Sequence, residues 1–186
     1  LCGDHGDFQQ QRLVDLVNND LANTIGNLLN RTSSMARKWF ADAVPPHTDA
    51  VGPHHPLAVA ANTAVTTVMT SMPSLGFKPA AEAVLQLAIA ANGHLNDTAP
   101  WSRMKQPGLE AEVGDDLYAV LEATRIVGLL LSPLLPELST RILEQLGTSI
   151  NPDGWTEQLS WGGLVSGASL PKPSPVMQRL ELEESL

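Results

Sequence analysis

Residues 18–40 read NNDLANTIGNLLNRTSSMARKWF, a stretch with five asparagines, a glycine and a regular row of leucines. Stepping about 100° per residue, Leu21, Ile25, Leu28, Thr32 and Met35 fall within an arc of about 80°, the width of a core-facing stripe. Asn19, Asn23, Asn27 and Asn30 cluster in a second arc of about 80° on roughly the opposite side. The pattern predicts an amphipathic helix whose asparagines face away from the core. A helix selected only for stability would avoid them: asparagine costs a few tenths of a kcal/mol more than alanine in a helix interior, and Gly26 about 1 kcal/mol. Asp7 and Gln10 form a capping-box pattern and no proline intervenes before Pro45. The helix is therefore expected to run from about residue 8 to about residue 40.

The rest of the chain continues in the same style. His54, His55 and Pro56 lead into LAVAANTAVTTVMTSM, where Leu57, Ala61, Val65, Val68 and Met72 recur every three or four residues until Pro73. Pro79 can open a third helix, AAEAVLQLAIAANGHL, which ends before Pro100. The acidic LEAEVGDD starts a fourth that runs to Leu131, with its carboxylates at the end the helix dipole favours. PELSTRILEQLG gives a fifth, with Gly147 as its C-terminal cap. The 186 residues, 43% apolar and only 4% aromatic, suit one domain with a real core and helices in preference to a β-sandwich. The expected class is all-α, a helical bundle of about five helices over residues 1–147.

From Thr148 the character changes. Residues 148–186 are rich in Gly and Pro and show no helical period until their last residues, so they are expected to form an extended C-terminal tail. Trp155, Trp161 and Leu164 are the residues that would pin this tail back on the bundle; two tryptophans in a solvated tail would be unusual.

Charge and cysteine content exclude several functions. With 11 basic and 20 acidic side chains the net charge is -9, which argues against nonspecific coating of nucleic acid. Cys2 is the single cysteine, so no intrachain disulfide and no cysteine-based metal site can form. His54 and His55 are adjacent and do not share a helix face as i, i+4 zinc ligands would. No Ser/His/Asp arrangement or phosphate-cradling glycine loop presents itself, and no catalytic residue, cofactor or metal is assigned. No apolar run is long enough for a membrane span.

Two local patterns suit recognition of single-stranded RNA. Asparagine offers a donor and an acceptor together, as the edge of an unpaired base requires, and Arg31 adds a planar fork one turn after Asn27. ANGHLNDTAPWSRMK puts Trp101 after a proline at a helix exit, with Arg103 and Lys105 close behind, a possible stacking platform for a base. From spacing alone, a solvated polar face is the favoured reading of the asparagines, and a tryptophan plugging the turn fits at least as well as a stacking platform.

The same stretches carry a family resemblance. NNDLANTIGNLLNRTSSM, ANGHLNDTAPWSRMK and LSWGGLVSGASLPKPSPVMQRLE occur in the order seen in the C-terminal anticodon-binding helical domain of methionyl-tRNA synthetases of the bacterial and organellar type, and together they cover nearly the whole chain. The resemblance implies a class I synthetase anticodon-binding bundle in which Asn27 and Arg31 read the CAU anticodon and Trp101 stacks on one of its bases. Asn23, Asn30, His94, Arg103 and Lys105 would support them. His94 stands where tyrosine is usual, Arg103 where an apolar residue is usual, and Val176 and Met177 where Leu-Phe is usual. HIGH-like and KMSKS-like motifs are absent, so ATP and methionine would bind a catalytic domain that this sequence lacks.

Two functions follow as expectations. The chain would bind the tRNA(Met) anticodon loop as part of a methionine-tRNA ligase. Alternatively, it is a synthetase-derived structural subunit with protein or rRNA neighbours in a larger assembly. Since it begins with Leu1, it would be a processed product, a fragment or a module of something longer. The resemblance points to a plastid or mitochondrion, with a bacterial cytoplasm as the alternative.

Overall fold

The computed structural model describes residues 23–176. The helices are α1 (Asn23–Trp39), α2 (Pro56–Ser71), α3 (Phe77–Thr98), α4 (Pro100–Arg103), α5 (Glu110–Leu131), α6 (Pro136–Gln145) and α7 (Trp155–Gln158). Five of these, α1, α2, α3, α5 and α6, have ten residues or more and make an all-α bundle. The predicted start of the first helix near residue 8, with its capping box, lies outside the described residues. So do Asn19, Leu21 and Met177.

The centre of the bundle is α5. Every residue from Leu117 to Leu131 is buried, the polar Glu122, Thr124 and Arg125 included. α1, α2, α3 and α6 all pack against it, and α2 pairs with α3 as a hairpin. The row predicted to face the core does so: Ile25, Leu28 and Thr32 are fully buried, with Met35 at the margin. The stripe is wider than predicted, because Leu29, Ser33 and Ala36 are buried too. Gly26 is not demanded by space; an added Cβ would meet Val176 Cγ2 at 3.6 Å, an ordinary contact.

The helix ends follow local chemistry. Pro56 occupies the first turn of α2, and His55 caps it by accepting the Leu57 N–H on Nδ1 at 3.2 Å. α3 begins at Phe77, earlier than Pro79 suggests, because a proline inside the first turn removes only an N–H that has no partner in the helix. Gly147, with φ at 69°, closes α6: its N–H bonds Glu144 O and the Thr148 N–H bonds Leu143 O, the paired pattern of a left-handed helix end. A side chain there would also meet Ser169 O at 2.6 Å. The single turns α4 and α7 were not expected, since four residues are too few to display a period.

The chain beyond α6 is irregular, and its backbone polar groups find partners on the bundle. Trp155 donates from Nε1 to Leu129 O at 3.1 Å, and Trp161 from Nε1 to Val51 O at 2.8 Å. Leu164 is buried and accepts the Tyr118 hydroxyl at 3.0 Å. Burial beside the Glu122 charge pushes the Tyr118 hydroxyl up to about 12, so it stays a donor. Further on, Val44 and Asp42 pair with residues 167–170 in a short antiparallel contact. Gln145 then exchanges two hydrogen bonds with Ser174.

Glu122 and Arg125 organise this arrangement. Both are buried on α5, and Arg125 grips the Glu122 carboxylate through Nε at 2.9 Å and NH2 at 2.6 Å. The same carboxylate accepts the backbone N–H groups of Gly162, Gly163 and Leu164 at 2.8, 2.9 and 3.0 Å. Arg125 donates in turn to the carbonyls of Gln158 and Ser160 at 2.6 and 2.7 Å. Gly163 is required for contact, as an added Cβ would lie 2.5 Å from Arg125 Cζ. Among the described residues, no helix is long and apolar enough to cross a membrane. Glu122→Gln strands the Arg125 charge in the interior and is expected to cost about 3 kcal/mol or more, read from urea unfolding midpoints. A loss under about 1 kcal/mol would refute this role.

Candidate nucleic-acid interface

The described part of the asparagine face is accessible. Asn27, Asn30 and Arg31 are exposed on α1, and of Asn23 only the helical backbone is described. Asn27 and Asn30 line a cleft of about 230 Å³ together with Gly26 and the Pro173–Val176 segment. Asn30 accepts a long bond from the Ser34 hydroxyl at 3.5 Å.

Arg31 reaches across to the end of α3. Its guanidinium carbon sits 5.3 Å from the centre of the Trp101 ring, within cation–π range, while NH2 and NH1 lie 3.4 and 3.5 Å from Asn96 Oδ1. Trp101 is 37% exposed, so it is no core plug. It stands on α4 because Ala99 adopts a left-handed conformation, φ 43° and ψ 59°, that ends α3 and turns the chain into Pro100. The chemistry assembled here is a half-exposed indole, a cation over its ring and the amide of Asn96, with Asn27 one helical turn before Arg31 on α1. Such groups can stack a base and hydrogen-bond its edges.

The other residues read from the sequence divide. Lys105 is exposed and pairs with no carboxylate among the described residues. Arg103 turns inward, to Asp116 and Glu112 of α5. His94 is partly buried, and its Nε2 lies 3.3 Å from Asp116 Oδ1 without meeting hydrogen-bond geometry. Asn96 was missed. Asn92 was also missed; its Nδ2 bridges α3 to Thr24 O of α1 at 3.2 Å. The available signal was two asparagines one turn apart inside a helix, the same signature as in α1.

His55 lies behind this face, edge-on to His94 at 5.1 Å between ring centres and parallel to Trp161 at 6.3 Å. Burial, and then the neighbouring His94, lower its pKa below 6.5, against a smaller pull upward from Asp116 and Asp115. A histidine depressed in this way contributes stability that is complete above about pH 6.5 and is lost as pH falls through its folded pKa. Protonation also removes the Nδ1 acceptor that caps α2. His55→Asn keeps a capping side chain and removes the titration. The variant is therefore expected to lose less stability than the unaltered chain between about pH 7.5 and pH 5 in urea titrations. An equal loss in both would refute it.

Against known proteins, the arrangement is that of an all-helical anticodon-binding module. Residues 44–185 match the family described as the anticodon binding domain of methionyl tRNA ligase, and the chain belongs to that family. It is 40% identical to a methionine–tRNA ligase of Synechocystis, covering 97% of the chain and 36% of that protein. To the chloroplastic/mitochondrial methionine–tRNA ligase of Arabidopsis thaliana it is 37% identical, covering 97% and 30% respectively. The free-state crystal structure of Mycobacterium tuberculosis methionyl-tRNA synthetase superposes with a TM-score of 0.81 at 28% identity, over 92% of the chain and 35% of that one. The chain thus spans about a third of the length of these relatives. Cyanobacterial, plant and Bacillus subtilis relatives fit a plastid or a bacterial cytoplasm alike.

Proposed function

We propose that this chain binds the anticodon loop of tRNA(Met). Trp101 stacks on a splayed anticodon base, Arg31 and Asn27 read base edges, and Asn30 and Lys105 border the path of the strand. The observation that carries this reading is the convergence of Arg31 from α1 with Trp101 from α4 on one exposed face, the guanidinium carbon 5.3 Å from the centre of the indole ring. Stacking is worth about 1 to 3 kcal/mol per base, enough to anchor an unpaired nucleotide on a protein of acidic net charge. ATP and methionine would be bound by a catalytic domain outside these residues.

Trp101→Ala is expected to weaken binding of an RNA hairpin with a CAU loop triplet by about tenfold or more. It should also erase the preference over a hairpin with an altered triplet, both read by titration of the intact polypeptide. Unchanged affinity and preference would refute the stacking role. Absence of any CAU preference in the unaltered protein would favour the structural-subunit reading.

We also propose a plastid or mitochondrial location, supported by the likeness to the Arabidopsis organellar enzyme and its cyanobacterial counterpart. Immunodetection in fractionated cells should find the protein in an organelle fraction; confinement to the cytosol would refute this.

A further inference from the structure

The two cations that follow Trp101 have different surroundings. Lys105 points to solvent, whereas Arg103, the last residue of α4, donates from NH1 to Asp116 and from NH2 to Glu112, both on α5. The Asp116 carboxylate is only 13% exposed and also faces His94 of α3. One carboxylate therefore joins the helix that precedes the Trp101 turn and the turn itself to the central helix.

The turn needs such a tie. α4 has four residues, far too few to hold a helical conformation alone, and it is entered through Ala99 in a left-handed backbone that disfavours any residue with a Cβ. Pro100 is buried and Met104 packs against the core, which seats the turn. Among the described residues, the side-chain hydrogen bonds from α4 to α5 come from Arg103. With two carboxylates on its guanidinium, Arg103 has little charge left to offer an RNA phosphate.

We infer that Arg103 is a positioning residue: through Asp116 and Glu112 it clamps the Trp101-bearing turn to α5 in the orientation that stacks a base, and it does not contact the RNA backbone. The inference rests on the stacking role proposed for Trp101. A phosphate contact and a clamp make opposite demands on the carboxylates. Neutralising Glu112 or Asp116 would free a phosphate-binding arginine and tighten RNA binding, whereas it would loosen a clamp and weaken binding.

The test titrates CAU and altered-triplet RNA hairpins with the intact polypeptide over a salt series. A clamp predicts that Arg103→Gln weakens CAU binding by about tenfold and lowers the CAU preference. The slope of log affinity against log salt should stay unchanged, since no phosphate contact is lost. Asp116→Asn should give the same loss within about twofold, and the double variant should be no weaker than either single one, because all three break one unit. Glu112→Gln, at an exposed position that leaves the bundle intact, should weaken binding by about twofold. Should the Arg103 or Asp116 variant fail to fold, Glu112→Gln decides: weaker CAU binding supports the clamp, and equal or tighter binding overturns it. A fall of about 0.7 in the salt slope for Arg103→Gln also overturns it, as does unchanged CAU affinity in that variant. Trp101→Ala separates the two readings, since normal binding there removes the stacking role, whereas weakened binding there beside a normal Arg103→Gln removes the clamp alone.

Discussion

Glu122 and Arg125 sit where the interior of an otherwise apolar helix would be expected to exclude charge. Taking two ions out of water costs several kcal/mol each, and their mutual attraction offsets that only if the remaining lone pairs and protons are also used. Here they are used. Three backbone N–H groups complete the carboxylate and two carbonyls complete the guanidinium, all from residues 158–164. That segment has no strand partner and no sustained helix to satisfy its own polar groups. The ion pair does for it what a neighbouring strand would do, so the pair and the segment each make the other's burial tolerable.

From that anchor the remaining course of the chain follows. Trp155 and Trp161 bind carbonyls at the end of α5 and in the loop before α2, and residues 167–170 pair with the loop after α1. Gln145 then directs Ser174 back along the bundle until Val176 covers Gly26. The far end of this path forms one wall of the cleft that holds Asn27 and Asn30. The buried pair and the exposed asparagines are thus connected by a continuous run of ordered backbone, although they share no contact.

Much of the fold was legible because periodicity reports burial directly. The five long helices, the core row of α1 and the Gly147 cap could be read from spacing and from the stereochemistry of Gly and Pro. Partner choice was less legible. Arg103 next to Trp101 reads as a cation available to RNA, and only the fold puts Asp116 and Glu112 of a later helix against it. Glu122 and Arg125 are three residues apart in LEATRIVGLLL, yet nothing local says that a loop about forty residues on will supply five further hydrogen bonds. Asn96 escaped for the same reason, since its value lies in reaching Arg31, 65 positions away. Asn27, Arg31 and Trp101 were singled out by a family resemblance, because spacing alone favoured a solvated face.

The acidic balance and the exposed asparagines then make sense together. In the proposed anticodon-reading role, a net charge of -9 leaves little affinity to phosphate neutralisation, so discrimination among RNAs would fall to stacking and base edges, which act only at contact. Those groups must be exposed, and each asparagine costs a few tenths of a kcal/mol relative to alanine in a helix. On the other side of the same helix Ile25, Leu28 and Leu29 are fully buried, each contributing roughly 1.5 to 3 kcal/mol relative to exposure. The apolar stripe outweighs the polar one by a wide margin. α1 can therefore carry a poor helix-forming face because α5 holds its other face, which ties the surface chemistry of the asparagines to the apolar centre of the bundle.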